Sequence, residues 1–472
     1  MDLHVSLDGR RGIAGQIYRQ IRNAILDGRL RADEALPSSR ALARRIGVSR
    51  NTVLLAYDRL RSEGFVASRL GSGTFVCDGI RPRSPSGPAS SPLRPRPMWD
   101  GIPEGIDMSA TRADFDFRPG IPDASRFPFA AWRARMARQL YQPAVGNGAQ
   151  IAAAGHPALR AAIARHVGVS RGVRGTSEEV LVTNGSQQAF DLVARTLLEP
   201  GDTVAVEDPG YSLPRLAFRA HGCQVVGVEV DAEGLVVEAL PGDARLVYVT
   251  PSHQYPLGMA MSMARRQALL QWADRVDATI VEDDYDSEFR YGGRPLEPLQ
   301  GLDGFGRVLY VGSFSKVMLP TLRLGFLVAP RPLQSALRKA KFVADWHTAV
   351  PVQAAMAQFI DDGLLAQHVD RMRRVYAERH DLIVRLLERD CEGRLTPLPS
   401  AGGLHLTARL PEGHGITDEQ VAERAAAAGV SVLPLSARHL DEPRLQGLLL
   451  GYGAIEADRI AEGLKRLSDG IG

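Results

Sequence analysis

The stretch 311–325 carries the residues of this sequence that are best suited to chemistry. It reads VGSFSKVMLPTLRLG and holds two hydroxyls (Ser313, Ser315), one amine (Lys316) and one guanidinium (Arg323). An amine at the end of a buried strand can form a Schiff base with an aldehyde, while hydroxyls and an arginine can hold a phosphate dianion. These residue types therefore suit an aldehyde cofactor that also carries a phosphate.

Lysine is rare in this chain, and this rarity strengthens the prediction that Lys316 is a functional residue. Of the 57 lysines and arginines only four are lysines (316, 339, 341 and 465), which leaves 53 arginines. An ammonium group can lose its proton near neutral pH, whereas a guanidinium cannot. A lysine at this turn thus favours a reactive amine over a solvated basic loop, where most lysines lie.

Three further segments suit the same cofactor, and each follows a predicted strand. The turn NGSQQ at 184–188 opens a helix predicted from Gln187 to Leu198, so Ser186 and Gln187 lie where backbone N–H groups receive anions. Tyr211, in DPGY, can stack on a planar ring, and Asp283, in VEDDYD, can pair with a protonated ring nitrogen. Taken one at a time, the three segments could equally be an ordinary helix start, an aromatic residue in the core and a solvated acidic loop. A cofactor site is favoured because they occur along the chain in the order phosphate turn, aromatic residue, strand-end acid and lysine.

The elements that must position these residues alternate between strand and helix from about residue 108. Apolar runs suited to buried strands lie at 180–183, 203–207, 225–230, 246–250, 278–283, 308–311 and 326–329. Helical spacing between most of them predicts a largely parallel, doubly wound α/β sheet, in which ligands bind at the carboxyl ends of the strands. After residue 351, a long helix near 364–387 and short strands at 403–408, 430–433 and 448–450 predict a smaller α+β C-terminal lobe.

Composition indicates a soluble chain of two or three domains. The chain has 472 residues, 44% of them hydrophobic and 24% charged. It shows no apolar run of about eighteen residues and no secretory signal pattern, and its three cysteines (77, 223 and 391) lack metal-ligand spacing. We therefore expect a cytoplasmic protein with no membrane partner and no metal site.

Residues 1–78 have a charge pattern of their own, with thirteen arginines against eight acids, a net charge of +5 that leaves about −2 for the rest. Isoleucines at 13, 17, 21 and 25 predict a first helix, and residues 40–46 a second one capped within 37–39. Ser49 is the predicted N-cap of a third helix that turns Val53, Leu54, Tyr57 and Leu60 inward, followed by a β-hairpin at 65–76.

This segment resembles the winged helix-turn-helix of GntR-type bacterial regulators across residues 11–78. The resemblance depends on LPSSRALA (36–43), GVSRNTV (47–53) and GSGTFV (71–76). It implies binding of double-stranded DNA by Arg40, Arg50, Asn51 and Thr52 at the helices and by Arg69, Gly71 and Gly73 at the wing. A purely structural three-helix head is the alternative. We predict a DNA-binding domain at 1–78, a Pro/Arg/Ser-rich linker at 79–107 and the α/β body at 108–472.

The body resembles a fold-type I PLP-dependent aminotransferase over about residues 115–470. DPGY (208–211), EDDYDSEF (282–289) and SFSK…RLG (313–325) carry the resemblance, and with the head they match the MocR/GabR family of regulators. It implies pyridoxal 5'-phosphate on Lys316, Asp283 at the pyridine nitrogen, Tyr285 at the ring hydroxyl and Tyr211 stacked on the ring. The implied phosphate ligands are Ser186, Gln187, Ser313, Ser315 and Arg323, and a head-to-tail homodimer is implied as well.

Several positions depart from the aminotransferase pattern. Tyr255 stands where an asparagine usually contacts the ring hydroxyl, and Leu449 where an arginine usually clamps the substrate carboxylate; Arg118 or Arg215 are possible substitutes. Gln150 lies about where a tyrosine usually reaches the partner subunit's phosphate. These losses argue against efficient transamination.

The sequence therefore predicts a PLP-dependent regulator that senses a small amine or amino acid through aldimine formation at Lys316. Two alternatives stay open: a working aminotransferase with a DNA-binding head, and a regulator for which PLP itself is the signal. The sequence names neither the effector nor the operator.

Overall fold

The structure is a computed structural model that describes residues 5–9, 11–69, 72–78, 94–105, 113–141, 151–291, 297–400, 402–413 and 415–471. The chain forms two compact units, Met1–Pro95 and Arg96–Gly472. Most of the predicted linker lies outside the described residues, so the predicted domain limits stay predictions. In the described part of the chain, every helix is too short or too polar to cross a membrane.

The first unit is a three-helix head followed by a hairpin. Its elements are α1 (Ile13–Leu26), α2 (Ser39–Ile46), α3 (Arg50–Ser62), β1 (Val66–Arg69) and β2 (Gly73–Val76). Ser38 caps α2 by accepting from the Ala41 N–H, and Ser49 caps α3 by accepting from the Thr52 N–H. The core is apolar, but Leu54, which we predicted to be inward, is only half-buried, and Ala56 is buried instead.

The second unit is built on an eight-stranded sheet in the order β4-β11-β10-β9-β8-β5-β6-β7. The strands are β4 (Val180–Thr183), β5 (Thr203–Asp208), β6 (Gln224–Asp231), β7 (Gly234–Leu235), β8 (Ala244–Val249), β9 (Thr279–Asp284), β10 (Val308–Ser313) and β11 (Gly325–Val328). Strands β6, β5, β8, β9 and β10 pair in parallel, while β11 is antiparallel to β10 and to β4. The prediction of a largely parallel sheet is confirmed.

Helices cover both faces of this sheet, as in a doubly wound fold. The helices of the second unit are α4 (Phe129–Gln139), α5 (Pro157–Arg171), α6 (Ser186–Leu197), α7 (Ser212–Ala220), α8 (Met263–Val276), α9 (Leu299–Leu302), α10 (Gln334–Asp345), α11 (Val350–Asp361), α12 (Leu364–Asp390), α13 (Asp418–Ala427) and α14 (Ala457–Ile471). Alternate strand residues pack on different layers: Val206 and Leu246 lie with α6 and α7, whereas Ala205 and Val247 lie with α8.

The smaller lobe contains a four-stranded sheet in the order β12-β13-β16-β15. Its strands are β12 (Thr396–Pro397), β13 (His405–Arg409), β15 (Leu433–Pro434) and β16 (Gly447–Gly451). The single strand predicted at 430–433 is wrong in one respect, because β14 (Val430–Ser431) pairs in parallel with β3 (Phe115–Asp116) instead of joining this sheet. The chain changes partner at Val432, so one apolar run serves two sheets.

Candidate functional site

The carboxyl ends of several strands meet at one edge of the large sheet. Ser313 on β10 pairs with Gly325 on β11, which in turn pairs with Thr183 on β4. On the other side of β10, Val311 pairs with Asp283 of β9. This register brings the turn after β4, the acid of β9 and the lysine turn after β10 together, as expected for a site at strand ends.

Lys316 lies three residues after β10 with its amine held at a fixed point. Its Nζ donates to the Gly120 carbonyl at 2.7 Å. Burial lowers the pKa of the Lys316 amine, and the charges of Asp286 and Asp283 act in the opposite direction without cancelling it. Gly120 has φ 75°, and a Cβ there would lie 2.5 Å from the Nζ, so the lysine needs the glycine. An amine with a lowered pKa is a better nucleophile near neutral pH.

Asp283 is buried and offers one carboxylate oxygen to a ligand. Its Oδ2 accepts from the Tyr248 hydroxyl at 2.7 Å, whereas the buried Oδ1 has no partner among the described residues. Burial raises the pKa of Asp283 to about 7, even though the Tyr248 hydrogen bond lowers it. A buried acceptor without a donor is costly, so this oxygen is arranged for a donor from outside the chain.

The other acids of this run have partners inside the protein. Glu282 accepts from the N–H groups of Leu299 and Gln300 at the start of α9, both at 2.9 Å. Asp284 forms a buried ion pair with Arg171 at 2.8 Å, which holds the pKa of Asp284 below its usual value although burial acts to raise it. Strand alternation turns these two away from the face of Asp283, so one acid of β9 is left for the site.

The hydroxyl of Tyr285 is held by His253. Its hydroxyl lies 3.0 Å from His253 Nδ1 and donates to the His253 carbonyl at 2.9 Å. His253 Nδ1 also lies 3.0 Å from Asp286 Oδ1, and both side chains are buried. Tyr285 thus belongs to a network with His253 and Asp286, and burial raises the pKa of its phenol well above the ordinary value.

The predicted phosphate ligands surround the start of α6. Gly185, with φ 76°, precedes Ser186, the first residue of α6, and a Cβ at Gly185 would lie 2.9 Å from Arg323 Nη2. Arg323 donates to the Asn184 carbonyl at 3.0 Å, which places its guanidinium at this helix start. Helix N-termini favour anions because their first N–H groups lack partners within the helix.

Ser313, Ser315 and Gln187 are the remaining predicted phosphate ligands. The Ser313 hydroxyl donates to the Ser315 hydroxyl at 3.0 Å and accepts from the Ser315 N–H at 3.1 Å. Gln187 donates to the Leu213 carbonyl at 3.3 Å, and its buried Oε1 has no partner among the described residues. Hydroxyls, a guanidinium and open N–H groups form a donor set that suits a phosphate dianion.

Together these residues fit PLP. The open Asp283 Oδ1 matches a protonated pyridine nitrogen, Lys316 matches the aldehyde carbon, and the start of α6 matches the phosphate. Tyr211 is half-buried and packs edge-to-face on Tyr255, with ring centroids 5.5 Å apart. That Tyr211 stacks on the cofactor ring stays a prediction.

The three positions considered for a carboxylate clamp differ in burial and in their partners. Leu449 is fully buried in an apolar cluster with Val230, Leu257 and Leu435, so this strand position offers no cation. Arg118 is half-buried and held by Asp116 through hydrogen bonds of 2.9 and 2.7 Å. Arg215 is buried.

Gln150, the residue predicted near the partner subunit's phosphate, lies outside the described residues.

The predicted DNA-contacting residues lie on two parts of the head. Arg40 is exposed in the first turn of α2, and Arg50 and Asn51 are exposed in the first turn of α3. Thr52 is half-buried, with its hydroxyl 2.8 Å from that of Ser49. In a helix-turn-helix, the second helix of the pair enters the major groove, and that helix is α3 here. Exposed polar residues in its first turn therefore suit contact with base edges.

The predicted DNA contacts of the wing stay predictions, and Arg69 already has partners within the head. Arg69 is exposed but forms an ion pair with Asp33 and lies over the Phe75 ring, 4.7 Å from its centroid. Gly73 is the first residue of β2, opposite Arg69, with φ 114°. Gly71 lies outside the described residues. Any phosphate contact by Arg69 must therefore compete with Asp33.

Several functional candidates were missed at the level of sequence. Tyr248 positions Asp283, and its place on β8 depends on strand register that no local pattern reveals. His253, Asp286 and His405 form a buried cluster whose ligand-type atoms lie within 4.8 Å of one another, a spacing open to a metal ion. Hydrogen bonds already engage the ring nitrogens of His253 and the Nε2 of His405. The prediction that no metal binds remains untested.

Comparison with known proteins agrees with both halves of the chain. Residues 13–76 match the family described as "Bacterial regulatory proteins, gntR family", and residues 122–447 match "Aminotransferase class I and II". The chain is 40% identical to the probable rhizopine catabolism regulatory protein MocR of Rhizobium meliloti, over 96% of this chain and 92% of that one. It is 32% identical to the pyridoxine biosynthesis transcriptional regulator PdxR of Corynebacterium glutamicum, over 100% and 99% of the two chains.

Among solved structures, a kynurenine aminotransferase of Pyrococcus horikoshii in complex with PMP is similar to the second unit. The TM-score is 0.70 at 30% identity, and the match covers 77% of this chain and 91% of that chain. The similarity to PLP enzymes at this identity implies PLP as the cofactor, in agreement with the fit of the site.

Proposed function

Because the chain belongs to the MocR/GabR family of transcriptional regulators, we propose that this regulator senses a small amine or amino acid through PLP bound at Lys316. The head binds DNA, as its GntR family membership implies. The body supplies the sensor, and the signal is a change in the arrangement of the DNA-binding heads. Such coupling requires the effector to bind two arrangements with different affinity.

The observation that carries this proposal is the arrangement of Lys316, which is half-buried, and of Asp283, which is buried. The amine is held by Gly120, and the Oδ1 of the carboxylate has no partner among the described residues. Bound PLP would supply an aldehyde that condenses reversibly with amines. The chain's own groups would orient it: Asp283 at the ring nitrogen, Tyr285 at the ring hydroxyl and Arg323 at the phosphate.

A homodimer that engages two DNA half-sites is part of the proposal. Phe342, Val343 and Trp346 are exposed apolar side chains at the carboxyl end of α10. Exposed apolar groups of this kind are covered in a stable interface. Light scattering coupled to size exclusion would measure the mass, and a monomer at micromolar concentration would refute this part.

The decisive experiment compares wild type with Lys316→Ala and Lys339→Ala, the latter an exposed lysine of α10 as the matched control. Wild type and Lys339→Ala should bind PLP with a visible absorption band and change their affinity for the gene's own upstream DNA when the effector is added. Lys316→Ala should lose both the band and the response. An unchanged response in Lys316→Ala would refute sensing through the lysine.

A second candidate is that PLP itself is the signal. The similarity to a pyridoxine biosynthesis regulator over the whole chain favours it, as does the apolar setting of Leu449. In this case PLP alone, without any amine, changes DNA affinity. The same titration in fluorescence anisotropy separates the two, because amines would then add no further change.

A working aminotransferase is the third candidate, favoured by the similarity to the Pyrococcus enzyme. It predicts repeated conversion of an amino acid and a 2-oxo acid into products. Spectral change without product on adding both substrates would exclude it.

A further inference from the structure

Lys341 on α10 is a buried lysine outside the set of residues assigned to the cofactor. Its side chain is fully buried, whereas Lys339 on the same helix is exposed. The Lys341 Nζ donates at 2.6 Å to Gln188 Oε1, at 2.7 Å to Asp345 Oδ2 and at 3.2 Å to Thr348 Oγ1. An ammonium group has three N–H donors, so all the donors of this amine are used within the protein. Its role therefore lies in the groups that it holds.

Lys341 and Asp345 form an ion pair one turn apart on α10. Burial lowers the pKa of the Lys341 amine, and the hydrogen bond and charge of Asp345 oppose that shift. Moving an ammonium group out of water is costly, and the cost is offset only where an ion pair has good geometry and further hydrogen bonds. The bonds of Lys341 meet that requirement, so they fix the position of each partner.

The further partners of this pair belong to the phosphate turn, which we define as residues 184–188. Gln188 Oε1 accepts from the Asn184 N–H at 2.8 Å, and Gln188 Nε2 donates to Asp345 Oδ2 at 2.8 Å. The Asn184 side chain donates to Asp345 Oδ2 at 2.5 Å, and the Asn184 carbonyl accepts from Arg323 at 3.0 Å. Asn184 is thus held through its N–H, its side chain and its carbonyl.

Asn184 directly precedes the two residues that open α6. Gly185 is the N-cap and has no side chain that could cap the helix, so the first N–H groups of α6 stay open for an anion. The direction of these N–H groups follows from the backbone at Asn184, which the pair on α10 holds in place. Donors that are fixed before a ligand arrives lose less freedom on binding it.

We propose that Lys341 is a positioning residue for the cofactor's phosphate group and acts through Gln188 and Asn184. This inference rests on the proposed function and concerns the phosphate of PLP, separately from its ring and aldehyde. Asp345 balances the charge of Lys341, so the contribution of Lys341 is the orientation of the phosphate turn. Without Lys341, the Asp345 carboxylate would also lose its ion-pair partner beside that turn.

The test compares the affinity of the full-length protein for PLP and for pyridoxal, which has the same ring and aldehyde without the phosphate. Lys341→Met keeps a side chain of similar shape and removes the three donors. It should weaken PLP binding about tenfold and leave pyridoxal binding within about twofold. Gln188→Ala removes the link to the Asn184 N–H and should show the same selective loss. Lys339→Met is the matched control on the exposed side of the same helix and should bind both ligands as wild type does.

Inorganic phosphate provides a second readout that needs no aldehyde. It should raise the thermal midpoint of cofactor-free wild type and of Lys339→Met, because a ligand that binds the folded state stabilises it. The increase should be smaller in Lys341→Met.

Equal weakening of PLP and pyridoxal in Lys341→Met would overturn the proposal, as would unchanged affinity for PLP. If Lys341→Met does not fold, Gln188→Ala decides by the same comparison. If wild type binds neither PLP nor pyridoxal, the proposed function fails, and inorganic phosphate then tests the turn alone. A phosphate-dependent rise in midpoint that Lys341→Met reduces would still support the role of Lys341, whereas an equal rise or none would refute it.

Discussion

Asp283 carries an electrostatic cost in the cofactor-free protein that its replacement by asparagine should remove. The pKa of this buried carboxyl is about 7 against an ordinary value of 3.8. Each pKa unit between the folded and unfolded chains is worth about 1.4 kcal/mol. A raised pKa means that the folded state is favoured at low pH and loses stability as pH rises from about 4 to 7. Above pH 7 the loss reaches about 4 kcal/mol, because the two pKa values differ by about three units.

Cofactor-free Asp283→Asn should therefore be more stable than wild type at pH 8, by about 4 kcal/mol, and nearly equal to it at pH 4. The assay is urea unfolding followed by tryptophan fluorescence at both pH values. All four tryptophans (99, 132, 272 and 346) lie in the second unit, so this signal reports on the unit that holds Asp283. Added PLP should reverse the order, because a free carboxylate is needed to pair with the pyridine nitrogen.

Asp284→Asn is the matched control, and it should change the free energy of unfolding in the opposite direction. Asp284 is ionised and paired with Arg171, so its replacement strands a buried guanidinium and should cost about 3 to 5 kcal/mol. If Asp283→Asn destabilises the cofactor-free protein at pH 8 as Asp284→Asn does, Asp283 has a structural partner and the assignment of its Oδ1 to the cofactor is wrong.

Three further changes test the head and the phosphate turn. Arg50→Ala should make the slope of log binding constant against log salt concentration less steep, by about 0.9 for each phosphate that the arginine neutralises. Gel shifts at several salt concentrations measure this slope, and an unchanged slope would exclude a phosphate contact by Arg50. Ser49→Ala should destabilise the head by about 1 kcal/mol through loss of the α3 cap, measured as a lower thermal midpoint. Gly185→Ala should weaken PLP binding at least tenfold, since its Cβ would displace Arg323, whereas exposed Gly201→Ala should not; equal affinity would contradict the phosphate site.

The sequence predicted the parts of the site that depend on strand ends. Parallel strands bring their carboxyl ends to one edge, so the turn at Ser186, Asp283 and Lys316 could be grouped without knowing strand order. The partners of these residues were not predictable in the same way. Tyr248 reaches Asp283 because β8 and β9 are neighbours in a particular register, and Gly120 reaches Lys316 across nearly two hundred residues. Such pairings depend on tertiary packing and leave no local pattern.

The acid run of β9 shows a pattern that period-2 alternation could have resolved. Glu282 and Asp284 share one face and Asp283 takes the other, so alternation alone separates Asp283 from its two acidic neighbours. What alternation does not give is the charge state. Asp284 keeps a low pKa because Arg171 on α5 forms an ion pair with it. The pKa of Asp283 is raised because burial outweighs the opposing effects of the Tyr248 hydrogen bond and of the Lys316 charge.

The site is assembled from both lobes of the second unit, and this bears on how a signal could arise. Asp283 and Lys316 belong to the large sheet and the turn that follows it, whereas His405 lies on β13 of the small sheet with its ring 6.5 Å from that of Tyr285. An effector at Lys316 that also contacts the small sheet has a reason to favour one arrangement of the lobes over another, because separation of the lobes would break its contact with one of them. The requirement for differential affinity therefore favours an effector that reaches both lobes over one that contacts the large sheet alone.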